Sequence, residues 1–426
     1  MKYKALKHVC FTGLIVLCTT VPVLAQDTAH ITLPEAEKRF LQKNLSLLAE
    51  QYNIEITKAQ VIQARLFNNP TLALSGNLYD PDQKKVFNVS NSNGQYDIAL
   101  QQMIRLAGKR NKEVKLAETA TRLSENKFSE LLRALRYSLR SSFYNLYYLQ
   151  QSISAYDKQV PALEKLNNAY STLQAKGIVS LKDAVRIKSL LYSLKAEQAS
   201  LQNQLNDEQA SFELLLQSNK TYFITDADKS DLSPASLDQF TLQSLVDTAY
   251  ANRSDLKLSE NSMLYNQQNY NLQKALASPD LTVGAEFDKR GSFVNNASFI
   301  TVAMDLPFFN RNQGNIKAAK INIAQGKIIA DQQKQSVEND VQAAWSKVLN
   351  TDKMLHSIDP GFENQFEQLL DGVTDNFQKK NISLVEFTDF YESYKNNVLQ
   401  LNQLKNDRMQ ALESLQFAIG KNLFNN

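Results

Sequence analysis

Residues able to do covalent or metal chemistry are few in this 426-residue chain, and their spacing suits none of the usual reactions. Beyond the first 25 residues the histidines are His30 and His356, far apart and without a second ligand at helical spacing, whereas a metal centre needs three or four converging donors. Both cysteines, Cys10 and Cys18, fall in the leading segment, so the reading leaves the mature chain without thiol chemistry or disulfides. Gly108-Lys109 lacks the rest of a phosphate-binding loop, and no nucleophile–base motif occurs. The expectation is a chain that is not an enzyme, with no cofactor and no resident metal. The acids whose spacing carries meaning are Asp183, behind Ser180, and Glu386, behind Ser383, each the pattern of a serine cap with a carboxylate in the first helical turn. Asp389, one turn further on, is not explained by capping.

The elements that must position these acids are long helices. Apolar residues recur at steps of three and four through Phe128, Leu131, Leu135, Leu139, Phe143, Leu146, Leu149, Ile153, Tyr156, Val160, Leu163 and Leu166. That stripe predicts a helix on the order of 100 Å long. It stops at Ala175-Lys176-Gly177, where glycine can take the left-handed conformation that ends a helix, and a return stripe runs through Leu181, Val185, Ile187, Leu191, Leu194, Leu201, Leu205, Phe212 and Leu215.

The order of signals along the chain repeats. Lys2, Lys4 and Lys7 before an apolar run, with Val23-Leu24-Ala25 as cleavage site, predict a secretory signal peptide over residues 1–25. Those three lysines match the formal charge of +3, so the rest is near neutral, which argues against nucleic acid as partner. Repeat 1, residues 26–217, is expected to hold a helix from Thr32-Leu33-Pro34-Glu35 to Asn69-Pro70, strands at about 71–79 and 95–104, and a helical hairpin over 107–216 with its tip near Gly177. A polar segment, 218–240, reads as linker, and repeat 2, residues 241–420, follows. It is expected to hold a helix from Thr241-Leu242 to Ser278-Pro279, strands at about 280–288 and 299–306, and a hairpin over 312–418 with its tip near Asn381, with 421–426 as a tail. Val160-Pro161 and Asp359-Pro360-Gly361 are expected to interrupt the two outgoing arms, and Asn381 to take the left-handed position that Gly177 takes in the first turn.

The fold class is thus mainly α with a small β part: paired long-helix hairpins and four strands with alternating apolar and polar residues. Their length and pattern suit strands that cross an outer membrane, with Thr282, Gly284, Glu286, Asp288, Thr301, Ala303 and Asp305 on the polar face. Four strands cannot close a barrel, and an open edge in lipid costs several kcal/mol per unpaired group, so copies must combine.

On the tandem repeat, the two proline-led strand pairs, and the turns Ala175-Lys176-Gly177-Ile178-Val179-Ser180 and Lys380-Asn381-Ile382-Ser383-Leu384, the chain resembles the bacterial outer-membrane efflux proteins of the TolC type. Arg105-Leu106-Ala107-Gly108-Lys109-Arg110 and Pro307-Phe308-Phe309-Asn310-Arg311 look most like the heavy-metal efflux branch. The resemblance implies a homotrimer in outer-membrane lipid, four strands per chain completing a trimeric 12-stranded β-barrel, with the hairpins as a periplasmic α-barrel that meets an adaptor protein and an inner-membrane pump. It also implies a passive exit duct for metal ions or drugs. Carried over position by position, Asp183, Glu386 and Asp389 fall on the family's acidic gate sites, and Gly177, Ile178, Val179, Ser180, Asn381, Ile382, Ser383 and Leu384 on the adaptor-docking tip. Three carboxylates gathered by a threefold axis would repel one another and attract cations. Lys109, Arg110 and Arg311 then read as interfacial anchors or a solvated face, with the tunnel mouth as alternative, and Tyr144, Tyr147, Tyr148 and Trp345 as helix-packing aromatics. Rival readings are a periplasmic coiled-coil adaptor or scaffold without a pore, and the exit duct of a type I protein-secretion system.

Overall fold

The computed structural model describes residues 27–227, 232, 237–291, 293–359 and 361–424. The signal peptide expected over 1–25, residues 228–231 and 233–236 of the linker, Pro360 itself and the last two tail residues lie outside them. In chain order the elements are β1 (Asp27–Thr32), α1 (Leu33–Lys43), α2 (Leu45–Arg65), β2 (Thr71–Gly76), β3 (Tyr79–Asp80), β4 (Lys85–Val86), β5 (Tyr96–Ile104), α3 (Lys109–Ala175) and α4 (Leu181–Leu216). The chain continues with β6 (Thr221–Asp226), α5 (Leu242–Asn252), α6 (Ser254–Leu276), β7 (Leu281–Asp288), β8 (Ala297–Met304), α7 (Gln313–His356), α8 (Phe362–Gln378) and α9 (Leu384–Ile419). None of these helices is long and apolar enough to cross a membrane.

Several elements depart from the sequence reading, each for a physical reason. The opening helix of each repeat is two helices. In the first, Asn44 is extended and its Oδ1 accepts from the amides of Ser46 and Leu47 at 3.1 and 3.2 Å, a cap that starts α2 anew. In the second, Arg253 is extended with no side-chain cap, and its guanidinium is held by Asp255 and by Asp340 at 2.9 Å. Pro161 does not interrupt α3. Tyr156, Val160 and Leu163 around it are buried, and that packing outweighs the roughly 3 kcal/mol an interior proline costs. The corresponding arm of repeat 2 does break, between His356 and Phe362.

The chain divides into two compact units. The first takes residues through Lys43, Leu139–Ser233 and Asp359–Asn406. Its core joins both hairpins: Tyr156, Val160, Leu163, Leu190, Leu191, Leu194, Phe377, Phe387 and Tyr391 form one buried cluster. The segment read as linker contributes β6, which pairs in parallel with β1, from Asp27 opposite Thr221 to Thr32 opposite Asp226. Two glutamines from the long helices help satisfy β6. Gln209 takes the Phe223 amide at 3.1 Å and donates to its carbonyl at 2.6 Å, and Gln150 donates to the same carbonyl at 2.7 Å while accepting from the Thr225 amide at 3.1 Å.

The second unit takes Asn44–Ser138, Pro234–Ile358 and Asp407–Asn426, and carries a four-stranded antiparallel sheet in the order β2-β5-β7-β8. The β5–β7 pairing, Leu100 opposite Ala285, joins the repeats, and β2 and β8 are left as open edges. The register sorts the faces. Leu72, Leu100, Ala285 and Ile300 form one cross-strand row, while Ala73, Ala99, Glu286 and Phe299 form the next, on the opposite face. The apolar face is not covered by the chain's own core: Leu74 is 68% exposed, Val302 66% and Ile300 84%.

Candidate functional site

Both turns of the helical hairpins belong to the first unit. At the first, Gly177 has φ +69°, and the amides of Gly177 and Ile178 bond back to Gln174 and Leu173, each at 2.9 Å. Open space surrounds the place where a Cβ would sit, so glycine answers the backbone angle and not crowding. Ser180 then caps α4. Its Oγ accepts from the Asp183 amide at 3.1 Å and donates to Asp183 Oδ2 at 2.7 Å.

The second turn repeats this frame with one correction. The left-handed residue is Lys380, φ +63°, and not Asn381. Asn381 instead gives its amide to the Asn376 carbonyl at 2.9 Å, as Ile178 gives its own to Leu173. The true correspondence therefore pairs Lys380 with Gly177, Asn381 with Ile178, Ile382 with Val179 and Ser383 with Ser180. Ser383 Oγ accepts from the Glu386 amide at 3.2 Å, and Glu386 Oε2 accepts from the Ser383 amide at 2.8 Å, a closed capping box. Asp183 is one methylene shorter and takes the serine hydroxyl instead. The bonds from Ser383 hold the Glu386 carboxyl below its ordinary range.

The acids differ in surroundings. Glu386 and Asp389 are exposed, while Asp183 is half-buried. Burial, and secondarily the Asp183 charge, pushes the Tyr170 phenol up. Tyr170 stacks on Phe377 at 6.0 Å, and Phe377 on Phe387 at 4.3 Å. The docking residues split as well: Ile178 is 60% exposed, whereas Ile382 and Leu384 pack partly buried against the core.

A set of residues that sequence reasoning missed lies deeper in this unit. Glu197 accepts from the Tyr156 hydroxyl at 2.9 Å and pairs with Lys395 at 2.8 Å. Burial would raise the Glu197 carboxyl, but the bonds from Lys395 and Tyr156 outweigh it and hold it low. Burial likewise pushes the Tyr391 phenol up. Nothing local marks these residues as partners.

In the second unit Lys109 corrects the expectation of an anchor or solvated face: it is 3% exposed and pairs with Asp280 at 2.6 Å. Arg110 lies over the Phe67 ring at 3.7 Å, and Arg311 is exposed. Among the aromatics, Tyr144 and Tyr148 are buried, and Tyr147 and Trp345 are half-buried. His30 faces Asp226 at 2.9 Å and His356 faces Asp352 at 3.2 Å, and among the described residues no group of three or more such side chains could hold a metal ion.

The fold has counterparts among known proteins. A family described as outer membrane efflux protein matches residues 38–216 and 245–421. The chain is 24% identical over 305 residues to the cobalt-zinc-cadmium resistance protein CzcC of Cupriavidus metallidurans, covering 70% of this chain and 68% of that one. Among solved structures it is similar to a membrane protein from Pseudomonas aeruginosa, at TM-score 0.74 and 16% identity over 91% of this chain and 92% of the other. It is also similar to CusC, studied for transmembrane channel formation, at 0.72 and 15% over 92% of each.

Proposed function

This chain belongs to the outer membrane efflux protein family, and from that premise we propose that three copies close their sheets into a twelve-stranded barrel. As a member it is the outer-membrane channel component of a tripartite efflux pump, reaching into the periplasm. The observation that carries the trimer is the sheet itself. It has four strands, two open edges and an exposed apolar face, and both edges must find partners before lipid can cover that face. Four strands fall short of the roughly eight that the smallest barrels need.

The turns then form the periplasmic tip. Ile178, Val179 and Ser180, with Asn381 and Ser383, meet the adaptor hairpin, while Ile382 and Leu384 hold the turn to its core. Asp389 and Glu386, with Asp183 behind them, ring the entrance and draw cations to it. The cargo is divalent metal ions, a reading supported by the resistance relative's printed metals. The chain works as a conduit, and cargo choice rests with the pump.

Conductance in a planar bilayer tests the channel, and the mass of the detergent-solubilised particle tests the trimer. Discrete channels from a particle of three chains are expected, and a monomer without conductance would overturn the reading. For the gate, Glu386→Gln with Asp389→Asn is expected to weaken block by multivalent cations. Unchanged block removes both acids from the entrance. Expression in a strain lacking its own channel should restore tolerance to divalent metals, and restoring drug tolerance alone would reassign the cargo.

A further inference from the structure

Several cations of the second unit lie near the helix-side end of the sheet. Four are neutralised or stacked: Arg65 pairs with Glu118 at 2.9 Å, Arg105 with Glu113, Lys109 with Asp280, and Arg110 lies over one face of the Phe67 ring. Lys112, Lys115 and Lys274 lie together. They line a single cleft of about 400 Å³ with Gln268, Asn271 and Ser278 among its other walls, and no carboxylate lines it among the described residues. Lys112 donates to the Ala107 carbonyl at 2.6 Å, and Lys274 Nζ lies 5.6 Å from the centre of the Tyr270 ring. None of the three ammonium groups has a carboxylate partner among the described residues. Three like charges facing one space repel until an anion enters. The Gln268 Oε1 atom is buried and without a hydrogen-bond partner, so an occupant that also donates a hydroxyl would complete the site.

The cleft's place in the fold selects the anion. α3, which carries Lys112 and Lys115, begins at Lys109 just after β5 ends at Ile104, and α6, which carries Lys274, ends at Leu276 just before β7 begins at Leu281. The cleft therefore sits where two strands leave the sheet for the helices. At this end too, Phe67, Phe308 and Phe309 are 78%, 72% and 94% exposed, the type of residue that populates the headgroup level around a barrel. We propose that Lys112, Lys115 and Lys274 bind the phosphate of an anionic glycerophospholipid headgroup from the periplasmic leaflet, with Gln268 accepting from the headgroup's glycerol hydroxyl. Charge-assisted bonds to phosphate supply the attraction. The inference rests on reading the sheet as membrane-spanning.

The test uses the full-length protein in nanodiscs of phosphatidylcholine mixed with phosphatidylglycerol, with native mass spectrometry reading which lipid stays bound. The wild type is expected to retain phosphatidylglycerol over phosphatidylcholine by at least about tenfold, the scale that several interfacial lysines supply. The combined Lys112→Gln, Lys115→Gln and Lys274→Gln variant is expected to lose that preference, and the same three positions changed to Arg to keep it. Equal retention by the glutamine variant overturns the inference, and displacement of the lipid by inorganic phosphate reassigns the cleft to a free anion and overturns it too. Conductance of both proteins separates the two readings, because a wild type without channels sinks the membrane reading itself.

Discussion

Lys380 stands at φ +63° in the second turn where Gly177 stands at φ +69° in the first, each ahead of the serine that caps the returning helix. A side chain in this region costs about 1 kcal/mol per residue relative to glycine. Gly177→Ala is therefore expected to lower stability by about 1 kcal/mol and Lys380→Gly to raise it by up to about the same amount. Thermal unfolding of the two variants beside the wild type checks the ordering. A neutral Gly177→Ala would mean that the first turn does not need its observed conformation.

The Glu386 carboxylate is favoured by the bonds it receives from Ser383, so its ionised form is stabilised in the folded chain. The sign follows directly. Its contribution is complete above the ordinary value of 4.5 and is lost as pH falls below that value through the depressed one. Hydrogen exchange at the start of α9 should quicken as pH drops through this window, beyond the intrinsic pH dependence of exchange, and Glu386→Gln should abolish the pH-dependent part. Identical profiles would show that the box contributes nothing.

Lys395 and Glu197 join the two repeats within the first unit at 2.8 Å, and the Tyr156 hydroxyl completes the group at 2.9 Å. Because Glu197 is more than a third exposed, solvent screens the pair, and a double-mutant cycle of Lys395→Met with Glu197→Gln is expected to give a coupling of about 1 kcal/mol. The depressed Glu197 carboxyl predicts that this coupling is present above the usual carboxylate range and fades in acid. Strict additivity of the two changes would remove the pair from the stability of the tip.

The two faces of the sheet predict opposite consequences for the same new side chain. Leu100→Arg puts a charge on the face that carries Leu72 and Ile300, at an expected cost of about 2–4 kcal/mol in lipid, read as loss of assembled channels from the outer membrane. Glu286→Arg, on the opposite face, should assemble and shift reversal potentials toward anion selectivity. If both variants behave alike, the faces have been assigned wrongly.

Much of this architecture was legible in the sequence because its signals are local. The stripe from Phe128 to Leu166, the alternation over Leu281–Asp288 and the serine caps at Ser180 and Ser383 each act within a turn or two of backbone, where neighbours in sequence are neighbours in space. The tandem repeat was legible for the same reason, since it is those local patterns written twice.

The tertiary structure decided what depends on partners far along the chain. β1 and β6 pair across nearly the whole first repeat and carry no strong pattern of their own, with Gln150 and Gln209 supplying bonds that no local rule predicts. Pro161 stays helical because buried neighbours outweigh its cost, and Asn44 breaks a helix because its side chain caps the next one. Lys109 looked like a surface cation until Asp280 was brought to it, and Glu197 met Lys395 through the packing of two hairpins. A charge carries no local mark of its eventual partner. Periodicity and caps are properties of the chain, whereas pairing and burial are properties of the packing.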